Sequence, residues 1–225
     1  MSCRFYRFHA LIIAESQLLC RGDAALPIVN IQERLPMTTP AAQALERLLA
    51  GNRRYVAMRQ VHPRQTELHR QTLVEGQHPF AAILSCSDSR VPAEIIFDQG
   101  LGDLFIVRTA GHAVDALVLA SLEYAVLALG VPLIMVLGHG QCGAVKAVLS
   151  DQAQAGHLPY LAARLRPALA DLPPDALDQA IRQSAHATAS SLAAESDILA
   201  TACAEGRLTI APAYYDLPTG AVSLL

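Results

Sequence analysis

The 225-residue chain is predicted to fold as an α/β protein with a central, mainly parallel β-sheet flanked by helices. Three observations predict it: four apolar runs are continuous rather than alternating, helical segments separate them, and residues with metal-ligand chemistry stand where two of the runs end. Strands covered by helices on both faces read as unbroken apolar runs, and strands that alternate with helices lie parallel.

Residues 1–36 show no sustained period, end at Pro36, and are expected to form a flexible N-terminal extension. Residues 37–225 are expected to form a single catalytic domain, a size at which one core is well buried. Its first helix should open with Thr38 or Thr39 as N-cap, Pro40 at the first helical position and Leu45, Leu48 and Leu49 on one face. Gly51 and Asn52 are expected to punctuate that helix, with residues 53–58 continuing it before the Pro63 region. The strands are expected at 80–86, 103–109, 133–139 and 208–215. Between the second and third, a helix runs from an Asp115 N-cap to Leu129, with Gly130 just beyond its end. It is apolar nearly all round, so packing on a sheet leaves a second face for a partner subunit. A further helix should start near Gly140 and end near Ser150. Residues 151–175 read as a loop with short helical pieces, and 176–205 as one helix ending at Gly206.

Composition narrows the function. The chain is 52% apolar and 16% charged with a formal net charge of −3, and its arginines are scattered, so nothing points to nucleic acid. Residues 116–137 approach the length of a membrane span but contain Glu123, Gly130 and Pro132, so they read as helix, turn and strand. Arg4 and Arg7 precede an apolar stretch that Glu15 and Gln17 interrupt, which does not make a secretory signal. The five cysteines, an odd number, argue against a disulfide scaffold and for a reducing compartment, the cytoplasm.

The chemistry concentrates in two motifs. In SCSDSR, Cys86, Asp88 and Arg90 stand at alternate positions, which share one face of an extended segment. In GHGQCG, His139 and Cys142 stand three apart where a strand gives way to a helix. Two thiolates and an imidazole hold zinc tightly and leave a fourth tetrahedral position for water or for Asp88. Three other readings compete: an inert core, a Cys86–Cys142 disulfide, and a dinucleotide fingerprint formed by Gly138, Gly140 and Gly143. The fingerprint also demands a second strand and an acidic residue about 20 positions on, and neither follows here. The glycines are better read as letting the backbone turn tightly around His139 and Cys142.

The segment SCSDSRVPAEIIFDQGLGDLFIVRTAG, the later HGQCGAV and the closing GRLTIAPAYYDLPTGAVSLL together resemble the β-class carbonic anhydrases from about residue 41 onward. The resemblance implies that family's fold and one zinc ion on Cys86, His139 and Cys142. Asp88 is then either a fourth ligand or the partner of Arg90. It implies zinc-dependent, reversible hydration of carbon dioxide to bicarbonate and a proton, with Asp88 acting as gate and orienter. It also implies a substrate pocket of Gln77, Phe105 and Tyr124, assembled across a dimer interface. Hydrolysis of carbon disulfide or carbonyl sulfide, and a closed zinc-binding bicarbonate sensor, are the alternatives. The chain departs from the family at Thr109 or His112 in VRTAGH, where the family usually carries Asn; His112 reads as a solvent-exposed loop residue or an aid to proton transfer.

Overall fold

Pro40 and the Thr39 side chain, which accepts a hydrogen bond from the Ala42 N–H at 3.2 Å, start the first helix, α1 (Pro40–Val56). The computed structural model describes residues 39–170 and 172–225, so the expected N-terminal extension and Thr38 lie outside the described residues. The remaining described helices are α2 (Glu67–Thr72), α3 (Ala93–Ile96), α4 (Ala116–Leu127), α5 (Gly143–Leu149), α6 (Leu158–Leu165), α7 (Leu177–Glu195) and α8 (Asp197–Ala204). The strands are β1 (Ala81–Cys86), β2 (Leu104–Thr109), β3 (Leu133–His139), β4 (Thr209–Tyr215) and β5 (Val222–Leu224). They form one sheet in the order β2-β1-β3-β4-β5, parallel throughout except for the antiparallel β4–β5 edge.

The four expected strands therefore form within a residue of their predicted limits, and β1 and β3 are buried at every position. Period-two alternation sorts their side chains into two layers. Ala81, Ile83, Leu133, Met135, Leu137, Ala211 and Ala213 pack with α1 and α3 through Leu45, Leu48, Ala93 and Ile96. On the opposite face Ala82, Leu84, Ile134 and Val136 pack against α4, α7 and α8 through Leu122, Ala125, Ala189, Leu192 and Leu199. A third cluster at the C-terminal ends of the strands joins Cys86 and Cys142 to Val145, Leu165, Ala180, Ile181 and Tyr214. That cluster is where the two sequence motifs meet.

Three expectations are corrected. Gly51 and Asn52 do not interrupt α1: a Cβ on Gly51 would lie 1.7 Å from the Phe97 carbonyl oxygen, so glycine is there for a close approach. Buried Asn52 donates to the carbonyls of Ile96 (3.2 Å) and Gly220 (2.9 Å) and accepts from the Val222 N–H (2.8 Å), fastening β5. The expected long helix over 176–205 breaks at Ser196, which is extended (φ −138°, ψ 112°). Its hydroxyl caps α8 by accepting from Leu199 N and also donates to Glu123. The helix after β3 begins at Gly143 instead of near Gly140, because Gln141 takes a left-handed conformation (φ 54°) and Cys142 is the N-cap. α2, α3 and β5 were not foreseen, being too short to impose a period. The loop at 151–175 does contain its short helical pieces, α6 and a 3₁₀ turn over Arg166–Ala168. Residues 116–137 resolve into α4, a left-handed Gly130 and β3, and no described helix is long and apolar enough to cross a membrane.

Candidate metal centre

β1 ends at Cys86 and β3 at His139, two strands apart in sequence but neighbours in the sheet, so their C-terminal ends open side by side. The Cys142 N-cap brings a second sulfur over them: Cys86 Sγ and Cys142 Sγ are 3.9 Å apart, too far for a disulfide, and both thiols are free. His139, also fully buried, completes the group, and the candidate ligand atoms of Cys86, His139 and Cys142 all lie within 4.8 Å of one another. His139 Nδ1 faces the Gly140 carbonyl at 2.9 Å, which fixes the proton on Nδ1 and leaves Nε2 with a bare lone pair. That Nε2 is buried with no hydrogen-bond partner. A buried acceptor without a partner costs about 1–3 kcal/mol, so its place beside two sulfurs fits a metal ligand. Two sulfurs and one imidazole are the donor set that zinc takes, with one position left open.

The electrostatics agree. Between them the two thiols readily release one proton. Cys86 is pushed down, first by the hydrogen bond from Cys142 and also by the Gly111 N–H, while Cys142 is pushed up by that same bond and by burial.

Asp88 stands just beyond β1 and outside the three-atom group. Arg90 grips it with a fork, Nε to Oδ1 at 2.9 Å and Nη2 to Oδ2 at 2.6 Å, and the Arg90 backbone N–H adds a third bond to Oδ1 at 2.9 Å. The Arg90 guanidinium therefore holds the Asp88 carboxyl well below the usual carboxylate range. Arg90 Nη2 also donates to the Gln141 carbonyl at 3.2 Å, so one side chain ties SCSDSR to GHGQCG.

Arg108 on β2 was missed from the sequence. Its Nε donates to the Cys86 carbonyl at 2.9 Å and its Nη2 to the Asp88 carbonyl, bracing the segment that carries both residues. The signal was visible only as an arginine inside an apolar run. The glycines of GHGQCG do not make the turn expected of them. Gly138 gives α7 room, a Cβ there meeting Ile181 and Ala185 at 3.2 and 3.3 Å, and Gly140 gives room to the Tyr214 hydroxyl at 3.0 Å; the left-handed residue is Gln141. His112 is not exposed to solvent but fully buried, with Nε2 3.3 Å from Ser184 Oγ. Burial pushes its pKa down to about 4, so it is neutral near pH 7.

Of the expected pocket residues, Phe105 on β2 and Tyr124 on α4 face each other with ring centroids 6.3 Å apart and an interplanar angle of 42°. Tyr124 is 52% exposed, and Gln77 lies exposed on the loop leading into β1.

The carbonic anhydrase family model matches residues 81–222, which include every one of these strand ends. Carbonic anhydrase 2 of Mycobacterium tuberculosis (strain CDC 1551 / Oshkosh) is 45% identical over 193 residues, covering 83% of this chain and 93% of that protein. The carbonic anhydrase of Mycolicibacterium smegmatis is 42% identical over 199 residues, covering 84% and 95%. Among solved structures, the Coccomyxa β-carbonic anhydrase in complex with acetazolamide superposes with a TM-score of 0.64 at 28% identity, covering 80% of this chain and 86% of that one. With the sheet, the strand-end thiols and imidazole, and relatives matched over most of their length, this chain belongs to the β-class carbonic anhydrase family.

Proposed function

We propose that this chain interconverts carbon dioxide and bicarbonate on one zinc ion held by Cys86, His139 and Cys142. The observation that carries the proposal is the buried convergence of two sulfurs and an unpartnered imidazole nitrogen beside a carboxylate already claimed by Arg90. Zinc bound there supplies a polarised water whose pKa falls from about 15.7 toward neutrality, less far than on three histidines because thiolates donate more charge.

The residues of the chain do the rest. Asp88, ionised and immobilised by Arg90, accepts a hydrogen bond from the attacking oxygen and so aims its lone pair at the carbon. The same bridge keeps Asp88 away from the fourth ligand position, which favours an open enzyme over a permanently closed sensor. Each turnover forms one C–O bond, breaks one C=O π bond of carbon dioxide and one O–H bond of water, and releases one bicarbonate and one proton. Phe105 and Tyr124 offer an apolar surface to a linear neutral gas, and the Gln77 amide is available to a bicarbonate oxygen.

The exposed side of α4, with Leu117 78% and Leu127 63% exposed around Tyr124, supports a pocket completed by a second copy of the chain. We assign catalysis to a single domain over 37–225. Free Cys86, Cys142 and Cys203 suit a reducing compartment such as the cytoplasm. Metal analysis tests the ligand set. The native chain is expected to carry one zinc and Cys142→Ser to lose it, whereas a Cys142→Ser protein with a full zinc complement would overturn the assignment.

A further inference from the structure

Gly111 donates its backbone N–H to Cys86 Sγ at 3.2 Å. The peptide that does so sits in an improbable backbone: Gly111 (φ 62°, ψ 24°) and His112 (φ 49°) are consecutive left-handed residues. At Gly111 a Cβ would also lie 2.9 Å from Leu165 Cδ1 and 3.2 Å from Ala144 Cβ, so those two side chains would have to shift to admit it. For a non-glycine residue that conformation costs roughly 1–2 kcal/mol and persists only where the surroundings enforce it.

At His112 the enforcing contact is visible. The ring is fully buried, and its one side-chain hydrogen bond joins Nε2 to Ser184 Oγ at 3.3 Å, Ser184 being a buried residue of α7. Nδ1 has no partner. A histidine kept only to fill the core would satisfy both nitrogens or be replaced by an apolar residue of similar size. On the other side, the Thr109 hydroxyl donates to the Ala113 carbonyl at 2.7 Å and closes the turn.

We propose that His112 and Ser184 are a positioning pair that holds the Gly111 amide on the Cys86 sulfur and so sets how much charge this thiolate gives to a bound metal. The inference rests on the zinc reading above. An N–H donor on a thiolate draws charge off the sulfur, which leaves a bound metal more electrophilic; such outer hydrogen bonds tune metal sites generally. His112 is an anchor and not a switch, because burial keeps it neutral near pH 7. The ionisable groups that act on it are Cys86 and His139; those around Cys86 are Cys142 and His139, with Arg90 and Asp88 beyond. Changing Ser184 leaves all of them in place.

The test uses the full-length protein with cobalt(II) in place of zinc, read by its sulfur-to-cobalt charge-transfer absorption, together with the pH midpoint of carbon dioxide hydration in the zinc form. In Ser184→Ala and His112→Val, the second removing left-handed tolerance, the band is expected at longer wavelength. The midpoint is expected to move alkaline by roughly half to one pH unit, the scale of one net hydrogen bond. His112→Asn, which tolerates the left-handed backbone but is too short to reach Ser184 Oγ, is expected to shift the band and midpoint as Ser184→Ala does. Reduced activity in Ser184→Ala with one metal per chain and an unmoved band and midpoint would overturn the inference. If His112→Val does not fold, the Ser184→Ala result alone decides. A native protein with no sulfur-to-cobalt band would instead defeat the zinc reading itself.

Discussion

Arg90 is half exposed, and an isolated surface ion pair contributes between nothing and about 1 kcal/mol. Its consequence here is positional, since three donors from one residue hold both Asp88 oxygens and a fourth contact reaches the Gln141 carbonyl. Arg90→Ala is therefore expected to lose about 100-fold or more in kcat/KM while its zinc content stays at the native level, because the freed Asp88 takes the open ligand position. Stopped-flow hydration paired with metal analysis reads this, and unchanged activity would remove the gate role from Asp88. The alternate spacing of residues 86, 88 and 90 was legible in the sequence, as was the three-residue spacing of His139 and Cys142. The surroundings of His112 were not, because they come from Ser184, 72 positions later on another helix. Arg108 was hidden in the same way: its partners are backbone carbonyls at and just beyond the end of a neighbouring strand.

Among the elements, the long buried strands were readable because burial on both faces imposes composition at every position. α2, α3 and β5 were not, since they span too few positions to establish a period, and β5 depends on Asn52, 170 positions before Val222. The break at Ser196 is a cap inside an otherwise helix-compatible run, and its second partner, Glu123, lies on α4. β4 and α7 are joined beside the candidate site by Tyr214, whose hydroxyl donates to Asp178 while the Arg182 guanidinium lies 3.8 Å above its ring. Burial, then the bond to Asp178, push the Tyr214 phenol up to about 12. The native state thus holds this proton more tightly than the unfolded chain, so its stabilising effect is complete below about pH 10 and is lost as pH rises from about 10 to 12. Urea unfolding is expected to show the native chain losing about 2–3 kcal/mol through this cause across that window, with Tyr214→Phe falling less steeply. Parallel curves for the two proteins would refute the assignment.

At the scale of the whole molecule, the alternation of strands and helices indicated a parallel sheet, but the strand order β2-β1-β3-β4-β5 is written in no local pattern. The apolar circumference of α4 was legible, and the structure leaves Leu117, Tyr124 and Leu127 exposed on it. A second copy covering that face would account for its composition and would lie close to Phe105 and Tyr124. Leu117→Asp combined with Leu127→Asp is expected to lower the sedimentation coefficient to that of a smaller assembly and to reduce hydration activity with it. A variant that sediments as the native protein would show that this face is not the interface.

If the strand-end thiols and imidazole hold a zinc ion that hydrates carbon dioxide, a stopped-flow pH-indicator assay on the zinc-loaded full-length protein reads that activity. The expected result is carbon dioxide hydration far above the uncatalysed rate, rising with pH between neutrality and about pH 9 as expected for a metal-polarised water. A fully zinc-loaded protein with no hydration at any pH in that range would contradict it.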